Sequence, residues 1–109
     1  MAQFDVHRNL SASKSTVPYV VVVQSSQFDR YRRRVVVPLK LKKSLPPELF
    51  KTSSRLNPSF TIERQSVVLH VLDISSVPTH ELGAWVATLE ESGLAITDAL
   101  DELFTRTWK

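Results

Sequence analysis

The sequence predicts a mainly β fold, a small barrel or strongly bent sheet of about five to six mostly antiparallel strands with one C-terminal helix across an opening. Three observations lead there. Residues 20–23 and 35–37 are unbroken valine runs, the β-branched composition that suits a buried pleated surface. The stretch between them is too polar to bury and too basic for an ordinary tight turn, so it reads as an exposed cationic loop joining two strands. From about Thr88 the apolar spacing changes to the 3.6-residue period of a helix.

Taken in order, residues 2–7 alternate apolar and polar and read as a first strand with Phe4 and Val6 inward. Residues 9–16 are polar and loop-like, the tip of a hairpin. Residues 17–24 form the second strand, and four consecutive valines without alternation require cover on both faces, one of which a partner subunit could supply. Residues 34–39 form the third, closed by Pro38, which lacks a ladder donor. A surface excursion follows to Pro46-Pro47 and beyond. Residues 60–62 and 67–72 flank Glu63-Arg64-Gln65-Ser66 as a hairpin, and residues 73–78 end that sheet.

In the terminal helix, Leu89, Ile96, Leu100, Leu103, Phe104 and Thr107 fall on one stripe, with Asp98, Asp101, Glu102 and Lys109 opposite. Thr88 and Glu91 have the spacing of a capping box. Gly93 weakens the first turns by about 1 kcal/mol relative to Ala, and reads either as a site of close packing or as a later helix start. Trp85 reads as core.

The 109 residues predict a single domain, 1–109, with one core. Without cysteine there is neither a disulfide framework nor a thiolate, which excludes thiol redox chemistry. No apolar run approaches the roughly 20 residues of a membrane span, and the first ten residues lack the apolar centre of a secretory signal, so a cytoplasmic protein is expected. Charge is uneven: residues 1–55 carry 11 Lys and Arg against 3 acids, residues 56–109 carry 3 against 8. The two halves invite different partners.

The pattern holds little chemistry. His7, His70 and His80 lie in separate elements without metal-ligand spacing, no nucleophile elbow surrounds a serine, and two glycines cannot build a phosphate-cradling loop. The carboxylates after Glu90 fit the solvated face of an amphipathic helix better than an acid–base pair. No cofactor is expected, although a metal-independent ribonuclease would leave little trace. The basic run is the more informative feature. Arg30, Arg32, Arg33, Arg34, Lys40, Lys42 and Lys43 place half of all basic residues in fourteen positions, with Asp29 and Tyr31 among them. Docking of an acidic peptide, phosphate neutralisation with Tyr31 stacking on a base, and plain solvation remain open. Trp108 near the end of the sequence reads either as an interface anchor beside Arg106 or as packed back on Phe104.

Several blocks, in order, resemble the CcdB family of toxins: Gln3-Phe4-x-Val6, Val23-Gln24-Ser25, Arg33-Arg34-Val35-Val36-Val37-Pro38-Leu39, Asp73 through Ser76-Val77-Pro78, then Ile96 and Phe104. The resemblance implies an SH3-like barrel with a long C-terminal helix. It also implies a homodimer that binds the DNA gyrase A subunit, traps the gyrase–DNA cleavage complex by recognition rather than catalysis, and is held inactive by a partly disordered, CcdA-like antitoxin. DNA would be engaged only indirectly through the antitoxin complex, with no membrane involved.

Carried over by position, the gyrase-binding surface falls on Gln27 and Phe28 after the V-Q-S block, on Asp101 and Phe104 of the helix, and on Thr105, Arg106, Thr107 and Trp108. The basic residues Arg30, Arg32, Arg33, Lys42 and Lys43 become candidates for antitoxin binding. Three features depart from the family pattern: the apolar pair is Gln-Phe, the Trp-Gly-Ile ending is absent, and Trp108 stands three positions late, a rotation of about 300° on a helix. Two alternatives stand beside the gyrase reading: an endoribonuclease toxin on the same fold, and a homologue that binds antitoxin without being toxic.

Overall fold

The computed structural model describes residues 2–11, 13–46 and 56–105. Within them are seven strands and one α-helix: β1 (Asp5–Asn9), β2 (Tyr19–Val22), β3 (Arg33–Leu41), β4 (Ser59–Ile62), β5 (Gln65–Leu69), β6 (Ser75–Pro78), β7 (Leu82–Thr88) and α1 (Gly93–Phe104). The strands form one antiparallel sheet in the order β4-β5-β3-β2-β1-β7, with β6 also paired to β3. The mainly β class, the curled small-barrel sheet and the C-terminal helix agree with the sequence reading. The strand count is higher because residues 75–78, read as a sheet terminator, and residues 82–88, which lack clean alternation, both pair.

Strand β3 runs through Pro38 rather than ending there. One edge pairs continuously with β2, from Val36↔Val22 to Leu39↔Tyr19. The opposite edge is divided: residues 33–36 pair with β6 and residues 39–41 with β5. Pro38 falls at the handover between the two partners, where a missing N–H costs no ladder bond, while its carbonyl accepts from His70 N at 3.1 Å.

The valine runs are covered on both faces, and by this chain itself. Val6, Tyr19, Val21, Val37 and Leu39 point to the main core with Leu69, Ile96 and Ala99, so α1 lies on that side. Val20, Val22 and Val36 point the other way, where Val77 of β6 and Leu82 of β7 pack on them. Each fully buried aliphatic side chain contributes about 1.5–3 kcal/mol.

One polar cluster bridges the curled sheet. The β4–β5 connection is a two-residue turn in which Glu63 and Arg64 both have positive φ, 50° and 66°. This is the geometry that matches the twist of a hairpin, here without the Asn or Gly that usually adopts it. The Glu63 carboxylate is captured by Arg8 of β1, through Nη1 at 3.1 Å and Nη2 at 2.7 Å, and by the Tyr19 hydroxyl of β2 at 2.5 Å. Gln65 Nε2 also donates to the Tyr19 oxygen. Since β5 and β1 are separated by β3 and β2 in the sheet, these contacts require the sheet to roll over its core.

Helix α1 starts at Gly93, later than Thr88. The expected capping box is replaced by a bond from Glu90 N to Thr88 Oγ1 that opens a 3-10 turn, Glu90–Ser92. Gly93 packs beneath Phe4, and a Cβ there would lie 2.8 Å from the Phe4 ring. Phe4 itself precedes β1 in a left-handed conformation, φ 71°, with its N–H on Val22 O and its carbonyl accepting from Leu89 N. Ile96, Leu100 and Leu103 face the core as expected. Phe104 instead turns outward, 64% exposed.

Trp85 is likewise not core but 58% exposed. Strand β7 is the last in the sheet order, and its register against β1 shifts on either side of His7, the partner of Trp85. Gly83 permits the close approach of the two strands, since a Cβ there would come within 2.9 Å of the Arg8 carbonyl oxygen.

Burial and the Glu63 bond push the Tyr19 phenol up from 10.0 to about 12. The bonds from Arg8 and Tyr19 hold Glu63 below the usual carboxylate range. The phenol's contribution is therefore complete below pH 10 and declines as pH rises toward 12, because the unfolded chain releases that proton first. The Glu63 contribution is present above the ordinary glutamate range and is lost as pH falls. Wild-type protein is expected to lose melting temperature between pH 10 and 12 more steeply than Tyr19→Phe, with an ultraviolet titration step near 12 absent from the variant. Equal alkaline slopes would show that Tyr19 titrates normally.

Candidate recognition site

The segment from Gln24 to Arg33 is polar yet well organised. Its neck is closed by Val23 N to Val35 O at 3.1 Å and by Val35 N to Gln24 Oε1 at 3.3 Å. Ser25 caps a 3-10 turn, Ser26–Phe28, by accepting from Gln27 N, and successive bonds run from Phe28 N to Ser25 O, Asp29 N to Ser26 O and Tyr31 N to Phe28 O. Gln27 is exposed, whereas Phe28 is half-buried and tilts against Tyr31, the ring centroids 5.9 Å apart. The turn thus presents an amide and two aromatic rings on a short, hydrogen-bonded support.

The basic run does not form one patch. Arg30 and Arg32 are exposed on the loop, and Arg33 reaches sideways to β6, where Nε donates to Ser76 Oγ at 2.9 Å and Nη2 to Ser76 O at 2.6 Å. Arg34 is only 1% exposed and pairs with Asp29 Oδ1 at 2.8 Å. At the other end of β3, Lys40 pairs with Asp73, holding that carboxyl below its usual range. Lys42 and Lys43 follow in a 3-10 turn, Lys42–Ser44. Nine residue steps separate Arg33 from Lys42, roughly 30 Å along an ordinary strand. The cluster seen in sequence therefore resolves into a loop group, Arg30, Arg32 and Arg33, a distant turn group, Lys42 and Lys43, and Arg34 and Lys40, which meet Asp29 and Asp73.

At the helix end, Asp101 and Phe104 are three residues apart on one exposed face, and Thr105 closes the helix by donating from N and Oγ1 to Asp101 O. Arg106, Thr107 and Trp108 lie outside the described residues. The structure thus brings Gln27, Phe28, Arg30 and Arg32 onto one loop, and places Asp101, Phe104 and Thr105 on a second segment.

Two of the recesses open on the sheet. One, about 410 Å³, has Val20, Val36 and Pro38 among its lining, with Lys40, Asp73 and Glu81 at its sides. The other, about 340 Å³, lies between Phe4, Ser26, Trp85 and Glu90, beside the loop. Trp85 is the surface aromatic that sequence reasoning assigned to the core. Gly83, Ala84 and Ala87 are weak strand formers, so the local sequence of residues 82–88 does not announce the strand that they form. Among the described residues no group of three or more His, Cys, Asp or Glu is arranged to hold a metal. No helix among them is long and apolar enough to cross a membrane.

The described geometry suits recognition by loops and an exposed helix face, and the comparison with known families gives it a context: a family model described as CcdB protein matches residues 3–105. The chain belongs to the CcdB family. No curated protein matches it. CcdB membership supports a toxin of a toxin–antitoxin system. The match extends from before Phe4 through the 24–33 loop to the end of α1, so both segments described above lie within the matched residues.

In a Trp108→Phe variant, the emission of the remaining indole, Trp85, is expected to be quenched readily by iodide and to shift little on unfolding. A blue-shifted emission shielded from iodide would place Trp85 in an interior or interface.

Proposed function

We propose that this protein is the toxin of a type II toxin–antitoxin pair and acts as a cytoplasmic homodimer, one domain per chain. It binds the DNA gyrase A subunit and stabilises the cleaved gyrase–DNA complex. The observation that carries this reading is the family match across residues 3–105, which includes the loop with Gln27 and Phe28 and the helix end with Asp101 and Phe104. A protein that prefers one state of its target shifts the target toward that state by its difference in affinity, so trapping a cleaved complex needs no bond chemistry. Phe28 supplies the apolar contact of the loop, Gln27 a polar one, and Asp101 with Phe104 a second contact. Thr105, Arg106, Thr107 and Trp108 extend the latter.

The antitoxin is an acidic, partly disordered chain that orders on binding. Arg30, Arg32 and Arg33 serve one part of it, while Lys42 and Lys43 serve another at the far end of β3. DNA is reached only through that complex.

The ribonuclease alternative has little support. Among the described residues, the Arg8–Glu63–Tyr19 cluster has its phenol pushed up to about 12 and its carboxylate held below the normal range, so neither group is poised for proton transfer near neutrality. A homologue that binds antitoxin without poisoning gyrase remains the alternative that the same assay separates.

The test combines purified host gyrase, supercoiled DNA and an RNA control. Protein-dependent linear DNA with intact RNA is expected. Phe28→Ala is expected to raise the half-maximal concentration by roughly 10- to 100-fold, the loss of a buried aromatic anchor. Cleaved RNA, or intact DNA at saturating protein, would overturn the gyrase reading. For the antitoxin, Arg30→Ala/Arg32→Ala and Lys42→Ala/Lys43→Ala are each expected to weaken binding and flatten its salt dependence. Their effects should add within about 0.5 kcal/mol, as for separated sites. Unchanged affinity in both double variants would remove the docking role.

A further inference from the structure

Arg34 has no obvious reason to be charged. It lies on the face of β3 that carries Val36, pairs with Val77 across to β6, and is almost fully buried, a position where an apolar side chain would pack. Burying a guanidinium is costly unless its charge and donors are met. Nη2 meets Asp29 Oδ1 at 2.8 Å and approaches Gln24 O at 3.5 Å, while Nε and Nη1 find no hydrogen-bond acceptor among the described residues.

Both contacts of Nη2 lie in the recognition loop. Gln24 begins it, and Asp29 immediately follows Phe28 and ends the 3-10 turn. The side chain therefore spans the loop from its neck to the residue beside the aromatic contact. Arg33, one position earlier, points outward to Ser76 and fixes the same neck to β6. A surface loop of ten residues pays its ordering entropy either before binding or during it.

We propose that the Arg34–Asp29 pair is a positioning device that holds the Gln27–Phe28 turn in the shape its target reads, an inference that rests on the gyrase reading above. The pair contacts no target. It preorganises the loop, so that binding orders less chain, and its charge is retained because an apolar side chain at position 34 could not reach and hold the Asp29 carboxylate.

The experiment compares wild-type protein, Asp29→Asn and the apolar double variant Asp29→Leu/Arg34→Met, which leaves no unpaired buried charge should Asp29→Asn fail to fold. Amide hydrogen exchange is followed over residues 25–31, with α1 as the internal control, and gyrase-dependent DNA cleavage is titrated. The expected result is exchange roughly tenfold faster in the loop alone, with the half-maximal concentration for cleavage raised about tenfold and the maximum unchanged. Loop exchange equal to wild type in the double variant, or acceleration of loop and helix together, would overturn positioning in favour of a purely structural pair. If wild-type protein gives no cleavage, the gyrase reading fails, and the exchange comparison still decides whether the pair positions the loop.

Discussion

Strand β3 is the constraint on which the other elements depend, because it carries ladders on both edges and divides one of them between two partners. Val36 to Leu39 register β2, Arg33 to Val36 register β6, and Leu39 to Leu41 register β5. With a side-chain period of two, a slip of one residue would send Val35, Val37 and Leu39 outward and bring Arg34 and Lys40 into the main core. The same slip would move Pro38 out of the gap between β6 and β5 and into a ladder that needs its absent N–H. Proline is thus tolerated in a central strand because of where one neighbour leaves and the next begins.

The electrostatics follow from that register. Alternation puts Arg34 and Lys40 on the face opposite the core, where each meets a carboxylate close by, Asp29 and Asp73. The third pair, Arg8 with Glu63, joins the hairpin turn to the far side of the sheet and keeps the curl closed. Each pair connects segments that sequence proximity alone would not fix. What looks like one basic block in the chain becomes two internal ties and two separated exposed groups, and this matters more to partner choice than the net charge of +3.

The valine strands and the terminal helix were legible because they rest on local pattern: branched residues in a pleat and a 3.6-residue stripe. Strands β6 and β7 were not, since Ser75-Ser76 looks like a turn and the partner of β6 lies some forty residues upstream on β3. The left-handed pair Glu63-Arg64 carries no glycine or asparagine to announce it, and its cause, capture by Arg8 and Tyr19, is tertiary. The loop was visible as an exposed connector, with Gln27 and Phe28 placed by resemblance. The inward turn of Arg34, the outward turn of Phe104 and the exposure of Trp85 depend on pairing and cover that no local window contains.

The contact between Gly93 and Phe4 has an evolutionary consequence. A helix that opens on glycine forgoes about 1 kcal/mol of propensity relative to alanine, and here the space for a methyl group is occupied by an aromatic ring from the opposite end of the chain. The constraint runs in one direction. Shortening residue 4 makes room for alanine at 93 and a better helix, whereas with phenylalanine in place a methyl group at 93 requires the ring to shift. Related sequences should therefore carry a residue larger than glycine at 93 chiefly where residue 4 is smaller than phenylalanine.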